Sequence, residues 1–230
     1  MLTVSAVLPA FNEEANVERA VKAVVDSLSS NTDGHEVIVV DDGSRDETAT
    51  VLERLRAEYP SLRVVTHETN RGYGAAVRTG FSAAVHEWVF LIDCDNQFDP
   101  CEIVLLTAPS AGAEIVTGYR KVRRDPLVRR LNAFAFFTLV TILFGRLARD
   151  VNCAFKLIRR ELLAELDLRS DGALINTELF VRARSLRARI VEVPVAHFPR
   201  TAGRQTGSNP RVVLRAFTEL FRFRAEMRRR

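Results

Sequence analysis

The residues best suited to chemistry are Asp93-Cys94-Asp95-Asn96-Gln97, a polar run directly after the apolar stretch 89–92. Two carboxylates at i and i+2, with an amide oxygen two residues further on, present three oxygen donors to one hard divalent cation. A cation held there neutralises a diphosphate as a Lewis acid and stabilises a leaving group. A polar turn closing a strand has the same composition, because Asp and Asn are common turn residues. The motif alone leaves both readings open. A second acidic pair, Asp41-Asp42, is followed by Gly43-Ser44 and closes another apolar run. Adjacent carboxylates need a donor to offset their repulsion, and the N–H and hydroxyl groups of a nucleoside supply one.

The elements that must position these groups alternate between strand and helix. Apolar runs at 2–8, 36–40, 62–66 and 88–92 predict strands. Asn12 is a plausible N-cap before Glu13 and Glu14, and Val17, Ala20, Val21, Val24, Val25 and Leu28 recur at helical spacing. Ser44 or Asp46 precedes a helix carrying Ala49, Leu52 and Leu55, which Tyr59, Pro60 and Ser61 end; residues 74–85 predict a third helix. Strands joined by helical crossovers imply a mainly parallel sheet covered on both faces. Ligands of such sheets bind beyond the carboxyl ends of the strands. The loops 9–14, 41–46 and 93–99 should therefore converge on one edge.

After residue 118 the pattern changes. Residues 115–118 read as a strand and 120–130 as a basic, proline-containing mobile loop. Residues 131–145 are the most apolar stretch. As a helix they span about 22 Å, short of the roughly 30 Å hydrocarbon core, so they should not cross a membrane. A buried core helix and a helix lying in the membrane interface both fit. Residues 153–168 predict a strand leading into a helix, 176–188 a helix and 190–195 a strand. From Pro210 a last helix places Val213, Phe217, Leu220 and Phe221 on one face, with Arg211, Arg215, Arg222, Arg228, Arg229 and Arg230 elsewhere.

The chain's 230 residues include 47% hydrophobic and 27% charged, which excludes disorder, collagen and disulfide scaffolds. Three cysteines, Cys94, Cys101 and Cys153, cannot all pair, and no secretory pattern opens the sequence, so a reducing compartment is expected. The net charge of +4 conceals an asymmetry: residues 1–118 hold 8 basic and 19 acidic groups, a net of −11, and the rest hold 25 and 10, a net of +15. The second half thus expects a negatively charged partner. It carries no aromatic-basic ribonucleoprotein motif or helix-turn-helix pattern, so that partner is not nucleic acid.

VSAVLPAFNEEANV, VIVVDDGSRDET, NRGYGAAVRTGFSAA and LIDCDNQFDP, in this order over residues 4–100, resemble the nucleotide-binding half of the family 2 glycosyltransferases. TGYR at 117–120, DVNCAFKLIRR at 150–160, NTELFVRA at 176–183 and VEVPVAHFPRTAG at 191–203 narrow the resemblance to polyprenyl-phosphate sugar synthases of the dolichol-phosphate mannose synthase type. The resemblance implies an α/β GT-A fold: a Rossmann-like, mainly parallel sheet flanked by helices, with an interfacial or acceptor helical region. Residues 1–230 would form one catalytic domain, with 1–118 the nucleotide-sugar and metal half and 119–230 the acceptor and membrane-facing half.

Carried over by position, the resemblance implies that Pro9, Phe11 and Glu13 line the nucleotide pocket and that Val40 and Asp42 contact base and ribose. Asp93, Cys94 and Asp95 would hold ribose and diphosphate, and Asp95 with Gln97 would ligate Mg2+ or Mn2+. Arg120 and Arg200 would contact diphosphate or acceptor phosphate, with Arg129 and Arg204 as further phosphate contacts; Arg204 stands near the place of a lysine in the family. Glu178 matches an acidic position near the acceptor. The implied reaction is inverting transfer of a sugar from a nucleotide-sugar to a polyprenyl phosphate, by a cytoplasmic protein peripheral at the inner face of the membrane. A membrane surface or a membrane-protein partner is expected, and a homo-oligomer is left open. The competing readings are a glycosyltransferase acting on a hydroxyl acceptor with Glu178 as base, and a non-catalytic nucleotide-sugar or membrane-binding module.

Overall fold

A computed structural model describes residues 2–121, 127–200, 202–203 and 210–229, with no side-chain description for 127–133, 210–215 and 228–229. Seven strands form one sheet: β1 (Thr3–Ala10), β2 (Gly34–Asp41), β3 (Leu62–Thr66), β4 (Trp88–Ile92), β5 (Ile115–Arg120), β6 (Phe155–Arg159) and β7 (Ile190–Val195). Their order is β3-β2-β1-β4-β6-β5-β7. Only β6 runs against its neighbours, pairing antiparallel with both β4 and β5. All five residues of β4 are buried, as a central strand covered on both faces requires.

Alternation along the strands divides the core in two. On one face Val4, Ala6, Leu8, Phe90, Ile92, Phe155 and Leu157 pack with the apolar stripe of α1 (Val17–Asn31) and with Leu52 and Leu55 of α2 (Thr48–Glu58). On the other face Val7, Val89, Leu91, Ile115 and Ile158 pack with α3 (Tyr73–Ala83), α6 (Arg160–Glu165) and α7 (Ile175–Ser185). Gly80 lets α3 approach the sheet: a Cβ at this position would lie 2.2 Å from a methyl of Val7. The short α4 (Ile103–Thr107) buries Ile103 and Leu106 on the first face.

A third cluster joins α5 (Leu127–Phe144), α7 and α8 (Pro210–Arg229) through Phe136, Val140, Phe144, Leu174, Val181, Leu220 and Phe223. The ring of Phe136 meets Phe217 edge-on, with centroids 5.7 Å apart. The opposite side of α5 is open, leaving Phe134 68% and Ile142 74% exposed. Phe221, expected beside Leu220 on the buried face of α8, is 54% exposed instead, because Phe223 fills that place. Among the described residues no helix is long and apolar enough to cross a membrane.

Three local expectations change. The first helix starts at Val17, and Asn12 is no cap: it adopts a left-handed backbone (φ 54°) and joins two loops instead. Residues 127–130 of the basic segment belong to α5. The strand expected at 115–118 continues to Arg120 because β7 pairs with it through Val195.

Candidate active site

The loops after β1 and β2 are laced together. Asn12 N donates to Ser44 Oγ (2.9 Å), Arg45 N donates to Asn12 Oδ1 (2.8 Å) and Glu13 N donates to Thr48 Oγ1 (2.9 Å). The loop after β4 joins them through Asn96, whose left-handed backbone lets Nδ2 reach Asn16 O (3.1 Å). The segment after β7 closes the ring. Gln97 Nε2 donates to Phe198 O (3.0 Å), Phe198 N donates to Gln97 O (2.9 Å), and Arg200 Nη2 bonds both oxygens of Glu13 at 2.6 and 2.7 Å. The three acidic loops thus converge, and a fourth, basic one lies across them.

Within this ring Pro9 pairs with Val40, which is fully buried, and Phe11 is half-buried at the carboxyl end of β1. Asp42 is buried, and its carboxylate orders the next loop: it accepts from Arg71 N (2.9 Å) and Gly72 N (2.8 Å), and His67 Nδ1 lies 2.6 Å from Oδ1. His67 Nε2 in turn lies 2.9 Å from Thr79 Oγ1. Gly72 and Gly74 let this loop pack on the backbone of residues 170–172, since a Cβ at Gly74 would sit 2.4 Å from Ser170 O.

The Asp93–Gln97 run lies at the centre. Burial raises the pKa of Asp93 to about 7, with repulsion from Asp95 adding to it, while Tyr73, Lys156 and Arg120 pull the other way. Asp93 Oδ1 is buried without a hydrogen bond. Cys94 is buried and its thiol is pushed up by that burial. Asp95 Oδ1 accepts from Gln97 N (3.1 Å), and Oδ2 lies 3.8 Å from Arg200 Nη1. Glu13 is also pushed up by burial, although its bonds to Arg200 and Asn16 lower it.

In the second half, Arg120 makes a two-pronged bond to Asp150, Nε to Oδ2 at 2.6 Å and Nη2 to Oδ1 at 2.8 Å, with both side chains largely buried. It lies close enough to Asp93 to affect its charge. Glu178 is fully buried. Its carboxylate accepts from Arg169 N, Ser170 N and Arg182 Nε (2.7 Å), which fixes the 169–172 segment against α3. The side chain of Arg129 and the whole of Arg204 lie outside the described residues. Sequence reasoning assigned no role to Tyr73, His67, Asp150, Lys156 or Asn176. Lys156 carried a signal, a lone lysine in an apolar strand pattern, and it is fully buried, bonded to Cys153 O and Asn176 Oδ1 (3.0 Å).

Residues 5–167 match the family model described as Glycosyl transferase family 2. The chain belongs to glycosyl transferase family 2. Glycosyltransferase AglD of Haloferax volcanii is 32% identical over 207 residues, 86% of this chain and 33% of the relative. An undecaprenyl-phosphate 4-deoxy-4-formamido-L-arabinose transferase of Edwardsiella ictaluri is 31% identical over 204 residues, 87% of this chain and 61% of the relative. The chain thus spans about a third of the first relative and three fifths of the second. Glucosyl-3-phosphoglycerate synthase of Mycobacterium tuberculosis, solved with Mn2+, UDP-glucose and phosphoglyceric acid, superposes with a TM-score of 0.72 at 26% identity, over 97% of this chain and 80% of that one. The chain shares the GT-A architecture of such neighbours, as its motif order implied.

The oxygen donors of the Asp93–Gln97 run suit a hard divalent cation. Asp95 carries carboxylate oxygens, and Gln97, whose Nε2 donates to Phe198 O, carries an amide oxygen. The unpaired Asp93 Oδ1 stands nearby. Among the described residues no three His, Cys, Asp or Glu side chains form a metal cluster. An ion would need ligand oxygens to complete its shell, as Mg2+ characteristically does with phosphates.

Proposed function

We propose that this glycosyltransferase transfers a sugar from a uridine-diphosphate sugar to the phosphate of a polyprenol, inverting the anomeric carbon. The carrying observation is that Glu178, the acidic residue offered as a base for a hydroxyl acceptor, is fully buried and its carboxylate is taken up by Arg169 N, Ser170 N and Arg182 Nε. A lipid phosphate monoester is already ionised near neutral pH and needs no base. The relatives support this acceptor, since one is named for undecaprenyl phosphate. The solved neighbour supports uridine diphosphate as carrier.

In this reading a phosphate oxygen of the acceptor attacks the anomeric carbon from the face opposite the diphosphate. The bond from that carbon to the diphosphate oxygen breaks, its electrons staying on the leaving group, and no proton moves. Asp95 and Gln97 would hold Mg2+ or Mn2+, which when bound neutralises charge on the leaving diphosphate. Arg200 and Arg120 position two phosphorylated reactants against their repulsion, a task suited to a planar guanidinium that can grip phosphate with two donors. Each is held by a carboxylate, Glu13 or Asp150, so its fork is set before substrates arrive. The exposed Phe134, Ile142 and Phe221 on α5 and α8 suit contact with an anionic lipid surface, as the basic second half does. The cytoplasmic face of a membrane is the place where such a protein would meet nucleotide-sugars and lipid phosphate together.

The test is incubation with polyprenyl phosphate and a panel of labelled nucleotide-sugars, with and without EDTA. Label in an acid-labile lipid from one donor is expected, and its absence from every donor overturns the reading. The neighbour solved with phosphoglyceric acid favours a second reading, transfer to a hydroxyl of a small phosphorylated acid. Label in a water-soluble product with none in lipid would select it.

A further inference from the structure

A cavity of about 750 Å3 lies where α4 meets the free edge of the sheet, bounded by Leu105 of α4, Val193 and Val195 of β7 and the chain 196–199. The reading above does not use it. β7 is the last strand of the sheet, so its outer side has no strand neighbour among the described residues. Val193 and Val195 turn to the first face, where α4 packs, and α4 buries Ile103 and Leu106 while leaving Leu105 exposed. The size is that of a ligand pocket, roughly 300–1,000 Å3.

The lining says what chemistry fits. Of the described residues around the cavity only Glu102, Lys121 and His197 have polar side chains. Glu102 Oε2 accepts from Ala196 N (2.8 Å), and the ring of His197 packs on Phe98 with centroids 5.3 Å apart. Lys121 is exposed, directly after β5. A polar molecule therefore finds few anchors inside. A peptide strand laid along β7 fits poorly too. Val195 O accepts from Lys121 N and so faces β5, which turns the backbone of Pro194 outward, and proline has no N–H to offer there. An apolar chain needs neither donor nor acceptor.

The position says which chain. Arg120 precedes Lys121 and Arg200 follows Pro199, so each arginine assigned above to phosphate stands one residue, about 3.8 Å of backbone, from the cavity lining. The segment 197–199 is a shared wall. Its backbone is bonded to the oxygen-rich run, Phe198 N to Gln97 O and Gln97 Nε2 to Phe198 O, while the half-exposed ring of Phe198 lines the cavity. A phosphate held by Arg200 thus has an apolar cavity beside it on the same wall. We propose that this cavity takes the isoprene units next to the acceptor phosphate, with Leu105, Val193 and Phe198 in contact with them, and so selects a prenyl chain over a phosphorylated molecule without one. This rests on the polyprenyl-phosphate reading above, which gave the chain itself no pocket.

The test is calorimetric binding of isopentenyl, geranyl and farnesyl phosphates, in the presence of UDP and Mn2+, to the wild type and to the double variant Leu105→Gln with Phe198→Gln. Wild-type affinity is expected to rise at least about tenfold from isopentenyl to farnesyl phosphate, because each added isoprene unit buries further apolar surface, and the rise should shrink below about threefold in the double variant. Comparing the rise within each protein cancels any change at the phosphate. Equal wild-type binding of all three overturns the cavity as a chain site and leaves phosphate as the acceptor. A rise that survives in the double variant also overturns it, and its loss in Phe134→Asp with Ile142→Asp would place the chain along α5. Binding of UDP with none of the three phosphates removes the polyprenyl-phosphate reading and the cavity's role with it. Should the double variant not fold, a farnesyl phosphate carrying a terminal diazirine decides on the wild type: crosslinks mapped to residues 102–105 or 193–199 support the proposal, and crosslinks confined to other segments overturn it.

Discussion

Arg200 Nη2 bonds both carboxylate oxygens of Glu13, at 2.6 and 2.7 Å, across 187 residues of sequence. This pair ties the segment after β7 to the loop after β1 and sets a guanidinium beside Asp95, whose Oδ2 is 3.8 Å from Nη1. It makes a cation part of an acidic site before any ligand arrives.

Replacing Arg200 by Ala should lower kcat/KM about 10²-fold, the usual loss when one donor to developing negative charge is removed. Arg200→Lys should recover little, because an ammonium cannot reproduce the two-pronged grip. Steady-state kinetics on both variants checks this, and a full recovery by Lys would show that charge alone matters.

Asp95→Asn should remove the dependence of UDP binding on Mn2+. In the wild type, UDP and Mn2+ together at about 100 times Kd should raise stability by roughly 2.7 kcal/mol, and in the variant the increment due to the ion should vanish. Thermal melts with UDP, with and without Mn2+, read the difference. An undiminished increment would place the ion elsewhere.

Glu178→Gln separates support from catalysis. The carboxylate is fully buried and paired with Arg182, so the variant leaves an unmatched buried cation and should lose about 3–5 kcal/mol of stability. The fraction that stays folded should retain transfer to lipid phosphate. Unchanged melting with abolished turnover would instead make Glu178 a base.

Lys156 gives a pH signature. Burial lowers its pKa from 10.5 to about 8. The folded state therefore binds this proton more weakly than the unfolded chain, so the group weakens the fold in full below about pH 8, and the loss fades as pH rises to 10.5. Lys156→Met should gain relative to wild type at pH 7 over pH 10.5 by at most roughly 3 kcal/mol, which denaturant unfolding at the two pH values measures. A difference independent of pH would mean that the lysine is not desolvated.

Phe134→Asp with Ile142→Asp should weaken binding to phosphatidylglycerol vesicles at least about tenfold, since each exposed side chain offers roughly 1.5–3 kcal/mol of apolar transfer. Flotation assays read this directly, with melting temperature as the control. Equal flotation of variant and wild type would exclude the α5 face as a lipid contact.

Much of the architecture was legible in single stretches. Residues 88–92 and 190–195 are strands with the bounds their apolar runs predict, and the polar runs after β1, β2 and β4 do meet at one edge. Local pattern suffices there because a strand's burial and a helix's stripe are written within a few residues. Asn12 shows the limit. Its composition suits a cap, and only Ser44 and Arg45, more than thirty residues away, decide that it bridges loops.

The sequence by itself determined the alternation of strand and helix, the acidic edge and the oxygen-rich run at 93–97, because these follow from periodicity and from donor chemistry in adjacent residues. Tertiary structure decided which charges are spoken for. Glu178, a candidate base by position, is fully buried and bonded to Arg169 N, Ser170 N and Arg182 Nε, while Lys156, which carried no assigned role, is fully buried and bonded to Asn176 Oδ1. The reason is physical: a side chain's chemistry depends on its solvation and its partners, and those come from segments dozens to nearly two hundred residues distant.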